Sequence, residues 1–291
     1  MSENSKNQEK ARTIFLNPWG VFGFEIFLFS IALALGISAG LRLNRSFEIQ
    51  EISLPSFSLW QFLVYFTLGT AFFLLVSYFL KLKQKKEIFF RTFFILAIFV
   101  ANVFFFSLWF PTIPCFILSF SLVYILLKRH TVFLHNLVLI MVFAGAGAGL
   151  GLNFQPKMLA MLLFIFSIYD WVAVYKTKHM VKMAKEMVES KAILGFIIPQ
   201  KIADFKSEVK ETEVGGRFLI LGGGDIVFPL MFAVSLIPQG ILKSLIVALF
   251  SLIGLFVGFL IFINQKTKRP MPALPPIALF SIIGYFLTTI I

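Results

Sequence analysis

The sequence predicts an all-α polytopic membrane protein with nine transmembrane helices, its N-terminus in the cytoplasm and its C-terminus outside. Of its 291 residues, 59% are hydrophobic and 39 are phenylalanine, a composition that a soluble domain with a solvated surface does not have. Apolar stretches of bilayer-spanning length recur along the chain, and the basic residues concentrate on one side of them. A single cysteine, Cys115, excludes an intrachain disulfide.

Eight apolar stretches are long enough to cross a bilayer as helices, which takes about 20 residues each. They cover residues 21–41, 59–80, 92–110, 132–152, 158–175, 218–237, 240–263 and 273–291. A ninth stretch, at 113–127, has 15 residues and follows Pro111 and Pro114. Its length alone would also suit a re-entrant or interfacial segment.

The placement of lysine and arginine decides between eight and nine spans, because cytoplasmic loops carry an excess of both. With nine spans, 22 of these residues fall on the side of the N-terminus and four on the other side. With eight spans the division becomes 10 against 16, and the asymmetry nearly disappears. Nine spans also account for the net charge of +12 without a nucleic-acid partner.

One long polar segment divides the chain into a six-helix part at 1–175, a cytoplasmic loop at 176–217 and a three-helix part at 218–291. The loop opens with an apolar stripe at helical spacing, formed by Met180, Met183, Ala184, Met187 and Val188. Lysines flank this stripe, so it predicts a basic amphipathic helix on an anionic membrane face. The rest of the loop is expected to be a solvated, mobile linker.

Several predicted helices carry glycines at four-residue spacing, which lets helix backbones approach closely. The pairs are Gly36 and Gly40, Gly145 and Gly149, Gly147 and Gly151, and Gly254 and Gly258. We expect them to form packing contacts within the bundle.

Three acids lie inside the predicted spans: Glu25, Asp170 and Asp225. An ionised carboxylate near the bilayer centre costs about 3 kcal/mol or more, so each needs an explanation. Asp170 lies six residues before Lys176 and Asp225 eight residues after Arg217. At the rise of an α-helix, both acids sit roughly 9–12 Å below the same cytoplasmic surface. Because the sixth and seventh helices are consecutive and antiparallel, the two aspartates can face each other.

A facing pair of carboxylates holds one proton between them near neutral pH, because two like charges a few ångströms apart cannot both ionise cheaply. One carboxylate can then take a proton from water as it attacks an amide carbonyl, while the protonated partner donates to the carbonyl oxygen. This is peptide hydrolysis without a covalent intermediate, a metal or a cofactor. The glycines beside Asp225 would let another backbone approach it closely, and would loosen the helix.

Three motifs now resemble one family. They are Tyr169-Asp170 in the sixth helix, Gly222-Gly223-Gly224-Asp225 (a GxGD sequence) in the seventh, and Pro272-Ala273-Leu274 (PAL) opening the ninth. In order, spacing and nine-helix layout, they resemble the presenilin and signal peptide peptidase family of intramembrane aspartyl proteases. The resemblance implies that Asp170 and Asp225 are the catalytic pair. It also implies that Tyr169, the three glycines and the PAL residues shape the site and help to hold the substrate.

The charge distribution places the loop between the catalytic helices in the cytoplasm, as in the presenilin branch, and Leu274-Pro275 is similar to presenilins. The resemblance implies substrates that are transmembrane helices or signal-peptide remnants, in a multi-pass protein of the cell membrane. Presenilins cleave the corresponding loop autocatalytically. The chain is short and has no visible partner-recruiting domain, so we expect a microbial homologue that works without accessory subunits.

Two alternative functions remain. A proton-coupled transporter would use the same acids as a relay, but it predicts an internal repeat with acids in corresponding halves, and none is found. A prepilin-peptidase-like protease also uses GxGD, but that group lacks PAL and usually has a lysine where this chain has Val227.

Other polar residues are expected to be structural. Glu25 lies six residues past Trp19, so we expect it to snorkel or to accept a hydrogen bond. Asn102, His135 and Asn136 are expected to form hydrogen bonds between helices.

Overall fold

The structure, a computed structural model, describes residues 18–51, 58–79, 83–177, 180, 187–188, 192–209, 218–265 and 270–290. This part of the chain contains nine α-helices and two β-strands. The first six helices are α1 (Pro18–Ile49), α2 (Leu59–Phe79), α3 (Lys83–Ser107), α4 (Thr112–Lys128), α5 (Val132–Gly151) and α6 (Pro156–Tyr175). They are followed by β1 (Gly195–Pro199), β2 (Phe218–Gly222), α7 (Gly223–Ser235), α8 (Ile241–Ile263) and α9 (Leu274–Ile290).

The nine helices follow the order of the nine predicted spans. By length and composition, α1, α5, α6 and α8 can each cross a membrane. Four further apolar helical segments are shorter, at Arg91–Ser107, Thr112–Lys128, Gly223–Gln239 and Leu274–Ile290. The fold is therefore that of a mostly helical membrane protein, while nine crossings and their orientation stay a prediction.

The all-α prediction is wrong at one place, where the chain forms a two-stranded antiparallel sheet. β1 pairs with β2 from Gly195 opposite Gly222 to Pro199 opposite Phe218. The seventh helix, predicted to begin at 218, begins at Gly223, because the five residues before it form β2. β1 contains Phe196, Ile197 and Ile198, which favour extended backbone, and the five-residue apolar run of β2 fits a strand as well as a helix end.

The prediction of a solvated linker after the amphipathic segment is wrong for β1, whereas residues 201–203, 206 and 208 are exposed. All five residues of β1 are buried. Beyond a 3₁₀ helix at Ile202–Lys206, the chain binds the turn before α5: Val132 N–H donates to Ser207 O and Val209 N–H to His130 O. The predicted amphipathic helix lies largely outside the described residues.

α7 is the central helix of the bundle, and the predicted glycine contacts hold it. A Cβ added at Gly36 of α1 would stand 2.5 Å from the side chain of Leu230, and one at Gly147 of α5 would stand 2.4 Å from it. Leu230 of α7 thus inserts between glycines of two adjacent helices, α1 and α5, which also pack against each other. On its other side α5 uses Gly145 and Gly149 to pack against α3. The prediction that these glycines form packing contacts is confirmed.

The last two helices are held by the fourth glycine pair. A Cβ at Gly254 of α8 would lie 2.6 Å from both Ile277 Cα and the Pro276 carbonyl oxygen, which are backbone atoms of α9. A Cβ at Gly258 would lie 2.9 Å from the Pro276 ring. This contact places the first turn of α9.

Replacing Gly254 with alanine should lower the free energy of unfolding by about 1–3 kcal/mol, because the backbone of α9 must move to admit the new methyl group. Unfolding of the purified protein in mixed micelles, followed by circular dichroism, measures the loss. The matched control is Gly23→Ala in α1, where the structure has nothing within 4 Å of the added Cβ. Equal stability of the two variants would contradict this description of the α8–α9 contact.

Candidate active site

Asp225 lies in the first turn of α7, directly after β2. Gly222 is the N-cap residue, with extended backbone (φ −62°, ψ 144°). The Asp225 carboxylate turns back to the backbone of Gly222, and its Oδ2 stands 3.0 Å from the position a Cβ would take there. This is the reach of an N3 side chain to the N-cap N–H in a capping box. The half-buried acid therefore has a backbone donor and the positive end of a helix dipole beside it.

The three glycines before Asp225 differ in their surroundings. Gly223 N–H donates to Leu194 O over 2.8 Å, and a Cβ at Gly223 would stand 2.9 Å from that oxygen. A side chain at Gly222 would meet the Asp225 carboxylate. Gly224 is exposed, and the nearest atom to a Cβ there would be 3.6 Å away. A close approach of a backbone thus occurs at Gly223, with Leu194, the residue before β1.

Asp170 lies on α6 and is 5% exposed. Its carboxylate interacts with the backbone N–H of Leu274, the first residue of α9. The first N–H groups of a helix have no intrahelical acceptor, and Pro275 and Pro276 remove two of them from this helix. Asp170 Oδ2 is buried and has no hydrogen-bond partner in the part of the chain that the structure describes. The PAL segment therefore directs one backbone donor at Asp170.

The structure brings Asp170 and Asp225 within electrostatic range of each other. α6 and α7 pack together, and the rings of Phe166 and Phe228 lie with centroids 4.7 Å apart. Phe166 precedes Asp170 by four residues and Phe228 follows Asp225 by three. In antiparallel helices this places the ring pair about one turn deeper than both acids, as a floor beneath them.

Glu25 is a third acid near this pair. It is 5% exposed, its Oε2 has no partner among the described residues, and it lies within electrostatic range of Asp225. The expectation that it snorkels to the interface is wrong. Glu25 lies six residues from Trp19, which corresponds to a depth of about 9 Å, and Asp170 lies equally far from Lys176. This matched spacing was the feature of the sequence that could have placed Glu25 at the depth of the aspartates.

His135 and Asn136 of α5 hydrogen-bond to strand β1. Asn136 Nδ2 donates to Ile197 O over 2.7 Å, and Ile197 N–H donates to Asn136 Oδ1 over 2.9 Å. His135 Nε2 lies 3.2 Å from Gly195 O. Among the residues that the structure describes, Asn102 bonds within its own helix, to Ile98 O. The expectation of bonds between helices is therefore wrong for all three, because the buried strand was not foreseen.

The remaining predicted site residues are placed as follows. Pro272 and Leu274 are buried and Ala273 is half-buried. All three lie at the start of α9, where the backbone N–H of Leu274 interacts with Asp170. Tyr169 is 55% exposed, so its side chain is not enclosed with that of Asp170. No three His, Cys, Asp or Glu side chains cluster as a metal ion requires within the ranges described.

The chain matches a family model described as signal-peptide peptidase, presenilin aspartyl protease, over residues 24–291. It is also similar to two solved structures of a presenilin family intramembrane aspartate protease. The one in space group C222 has 19% identity and a TM-score of 0.62, and the match covers 92% of this chain and 97% of that one. The one in space group P2 has 20% identity and a TM-score of 0.61, covering 91% and 96%. No curated protein matches the sequence.

Replacing Glu25 with methionine should raise the free energy of unfolding by about 1–3 kcal/mol, because it removes a buried carboxyl whose Oε2 lacks a partner among the described residues and keeps the side-chain volume. Thermal unfolding in detergent measures the change. Glu48→Met on the same helix is the control, since Glu48 is exposed and accepts a hydrogen bond from Asn44. If Glu25→Met destabilises the protein as Glu48→Met does, the Glu25 carboxyl makes a stabilising hydrogen bond, and this prediction is wrong.

Proposed function

The chain belongs to the signal-peptide peptidase and presenilin family of aspartyl proteases and is an intramembrane aspartyl protease, and we propose that Asp170 and Asp225 are its catalytic pair. The observation that carries this proposal is their convergence. Two acids from consecutive helices lie within electrostatic range, and each interacts with a backbone N–H at the start of a helix. Backbone donors orient both carboxylates without adding a counter-charge that would hold both fully ionised.

In the proposed reaction the pair works as one unit with a shared proton. A water molecule between the carboxylates loses a proton to one of them as it attacks the substrate carbonyl carbon. The protonated carboxyl of the other donates to the carbonyl oxygen, and collapse of the tetrahedral intermediate transfers a proton to the leaving amine. The buried, unpartnered Oδ2 of Asp170 and the half-buried Asp225 beside exposed Gly224 support this arrangement.

The substrate segment is proposed to bind as an extended strand along β2. β1 and β2 form a two-stranded sheet, and no further strand borders β2 within the described ranges. A peptide that adds to a sheet edge exposes its amide bonds, which a helix hides. Because α7 begins directly where β2 ends, the added strand would run past Asp225.

We further propose that the protein acts in the cell membrane on transmembrane helices or signal-peptide remnants, without accessory subunits. Both acids, the PAL donor and the sheet edge come from this one chain, so a complete site needs no second protein. Tyr169, Gly222, Gly223, Gly224, Pro272, Ala273 and Leu274 are proposed to shape this site.

Asp170→Asn and Asp225→Asn, made separately, should each lower the rate of proteolysis by at least about a hundredfold, because general acid–base transfer contributes about 10²–10⁴. Purified protein is incubated with a transmembrane peptide in detergent and in liposomes, and products are measured by mass spectrometry. Asp204→Asn in the loop is the control and should cleave at the wild-type rate. Each variant is checked for wild-type helical content.

Activity that survives in one aspartate variant removes that residue from the pair. The transporter alternative predicts a different result in the same liposomes: no cleavage by the wild-type protein, together with peptide-independent proton flux that either substitution abolishes.

The dependence of kcat/KM on pH should be bell-shaped, because both the fully protonated and the fully ionised pair lack one of the two required groups. Cleavage of the same peptide is followed across the range in which the protein stays folded. A rate that still climbs through about pH 9 would argue against a shared proton.

A further inference from the structure

The outer edge of β1 is occupied by side chains of α5. Asn136, 2% exposed, bonds to both the N–H and the C=O of Ile197, over 2.9 and 2.7 Å. His135, the preceding residue, reaches the carbonyl of Gly195. Residues 195 and 197 lie on the same edge of the strand, since alternate residues direct their polar groups to one side. One asparagine thus satisfies Ile197 as a residue on a neighbouring strand would.

This contact determines which backbone groups of β2 face outward. Ile197 lies opposite Ile220. Because the polar groups of Ile197 turn to Asn136, the Ile197–Ile220 pair is of the non-hydrogen-bonded kind, and the N–H and C=O of Ile220 turn to the outer edge of β2. In an antiparallel pair, hydrogen-bonded and non-hydrogen-bonded residue pairs alternate. Leu194 and Gly223 lie three positions from the Ile197–Ile220 pair and are hydrogen-bonded, as this alternation requires. A slip of one residue would exchange the inward and outward groups along the whole strand.

α5 also holds the helix that carries Asp225. Further along α5, Gly147 contacts Leu230, and a Cβ at Gly151 would stand 2.8 Å from Met231 O, a backbone atom of α7. The same helix therefore positions the sheet at its beginning and α7 along its second half. The spacing between the outer edge at Ile220 and the Asp225 carboxylate is fixed from both ends.

We propose that Asn136 is a positioning residue that selects which peptide bond of the substrate is cut. The proposal rests on the proposed function, in which the substrate strand adds to β2. Asn136 closes the edge of β1 to a peptide, leaves the edge of β2 open and sets its register against Asp225. His135 supports it through Gly195. A substrate strand bonded to Ile220 then presents one peptide bond, and not its neighbours, to the two aspartates.

The chain offers a matched control for this role. Asn102 of α3 is fully buried, donates to Ile98 O within its own helix and has an unpartnered Oδ1. Both asparagines are buried in the bundle, but only Asn136 contacts the sheet. Substitution of either asparagine is expected to lower the stability of the protein. A change of cleavage position is expected only when Asn136 is substituted.

The first experiment compares the products of Asn136→Leu, Asn136→Asp and Asn102→Leu by mass spectrometry, on one transmembrane peptide. In Asn136→Leu the ratio of the main product to products cut one or two residues away should fall by about fivefold or more, because both hydrogen bonds to Ile197 are lost and each corresponds to a factor of about two to ten. Asn136→Asp keeps the acceptor for Ile197 N–H and should fall between. Asn102→Leu should keep the wild-type ratio. A lower rate with an unchanged product ratio in both Asn136 variants overturns the proposal.

Amide hydrogen exchange tests the contact without relying on catalysis. Asn136→Asp is used because it is the milder variant and serves even if the leucine variant does not fold. In Asn136→Asp the amides of segment 195–199 should exchange about fivefold faster than in the wild-type protein, or more, and in Asn102→Leu they should exchange at the wild-type rate. Unchanged exchange in Asn136→Asp overturns the positioning role. If the wild-type protein cleaves no peptide, the proposed function is wrong, and so is the role of Asn136 in choosing the cleaved peptide bond. Faster amide exchange in Asn136→Asp would still show that Asn136 holds strand β1.

Discussion

The structure depends on the break from strand to helix at Gly222. Inside a long transmembrane helix, an acid would find every nearby N–H already bonded to a carbonyl one turn before it. In the first turn of α7 those donors are open, and Asp225 uses the one at Gly222. The chain must therefore leave the helical conformation just before the acid. The five residues that do so become β2, whose backbone groups then need the partner that β1 supplies.

The same rule governs the second aspartate, through another helix. Asp170 lies well inside α6, where its own backbone offers no donor, and the interacting N–H is that of Leu274 at the start of α9. That start is held against α8 by Gly254, whose neighbour atoms are backbone. Both acids thus rely on helix starts, and the glycine contacts that position those starts belong to the site as much as the acids do. If these glycine contacts were loosened, both aspartates would remain in the chain but their backbone donors would be displaced.

The helices could be predicted because bilayer-spanning length is a strong signal, and the glycine pairs could be predicted because close packing requires small residues. Asp170 and Asp225 stood out as costly acids at matched depth. The strands could not be predicted, because a run such as Phe218–Gly222 continues into an apolar helix without a change in composition. The partner of Asn136 could not be predicted either, since Ile197 is 61 residues away and pairs with it only in the folded chain. Glu25 was misjudged because depth was compared only between the two aspartates.

The outer edge of β2 has a consequence for the proposed binding of substrate. Ile220 is half-buried, and no further strand borders β2 in the described part of the chain, so its outward N–H and C=O can pair with an added strand. A transmembrane helix that enters must lose its own backbone hydrogen bonds before an amide can be attacked. In the proposed binding mode, addition to β2 replaces those bonds and gives the outer backbone groups of β2 hydrogen-bond partners at the same step. If the substrate binds in this way, the hydrogen bonds formed at the edge offset the cost of unwinding the substrate helix, and they form where the extended segment runs past Asp225.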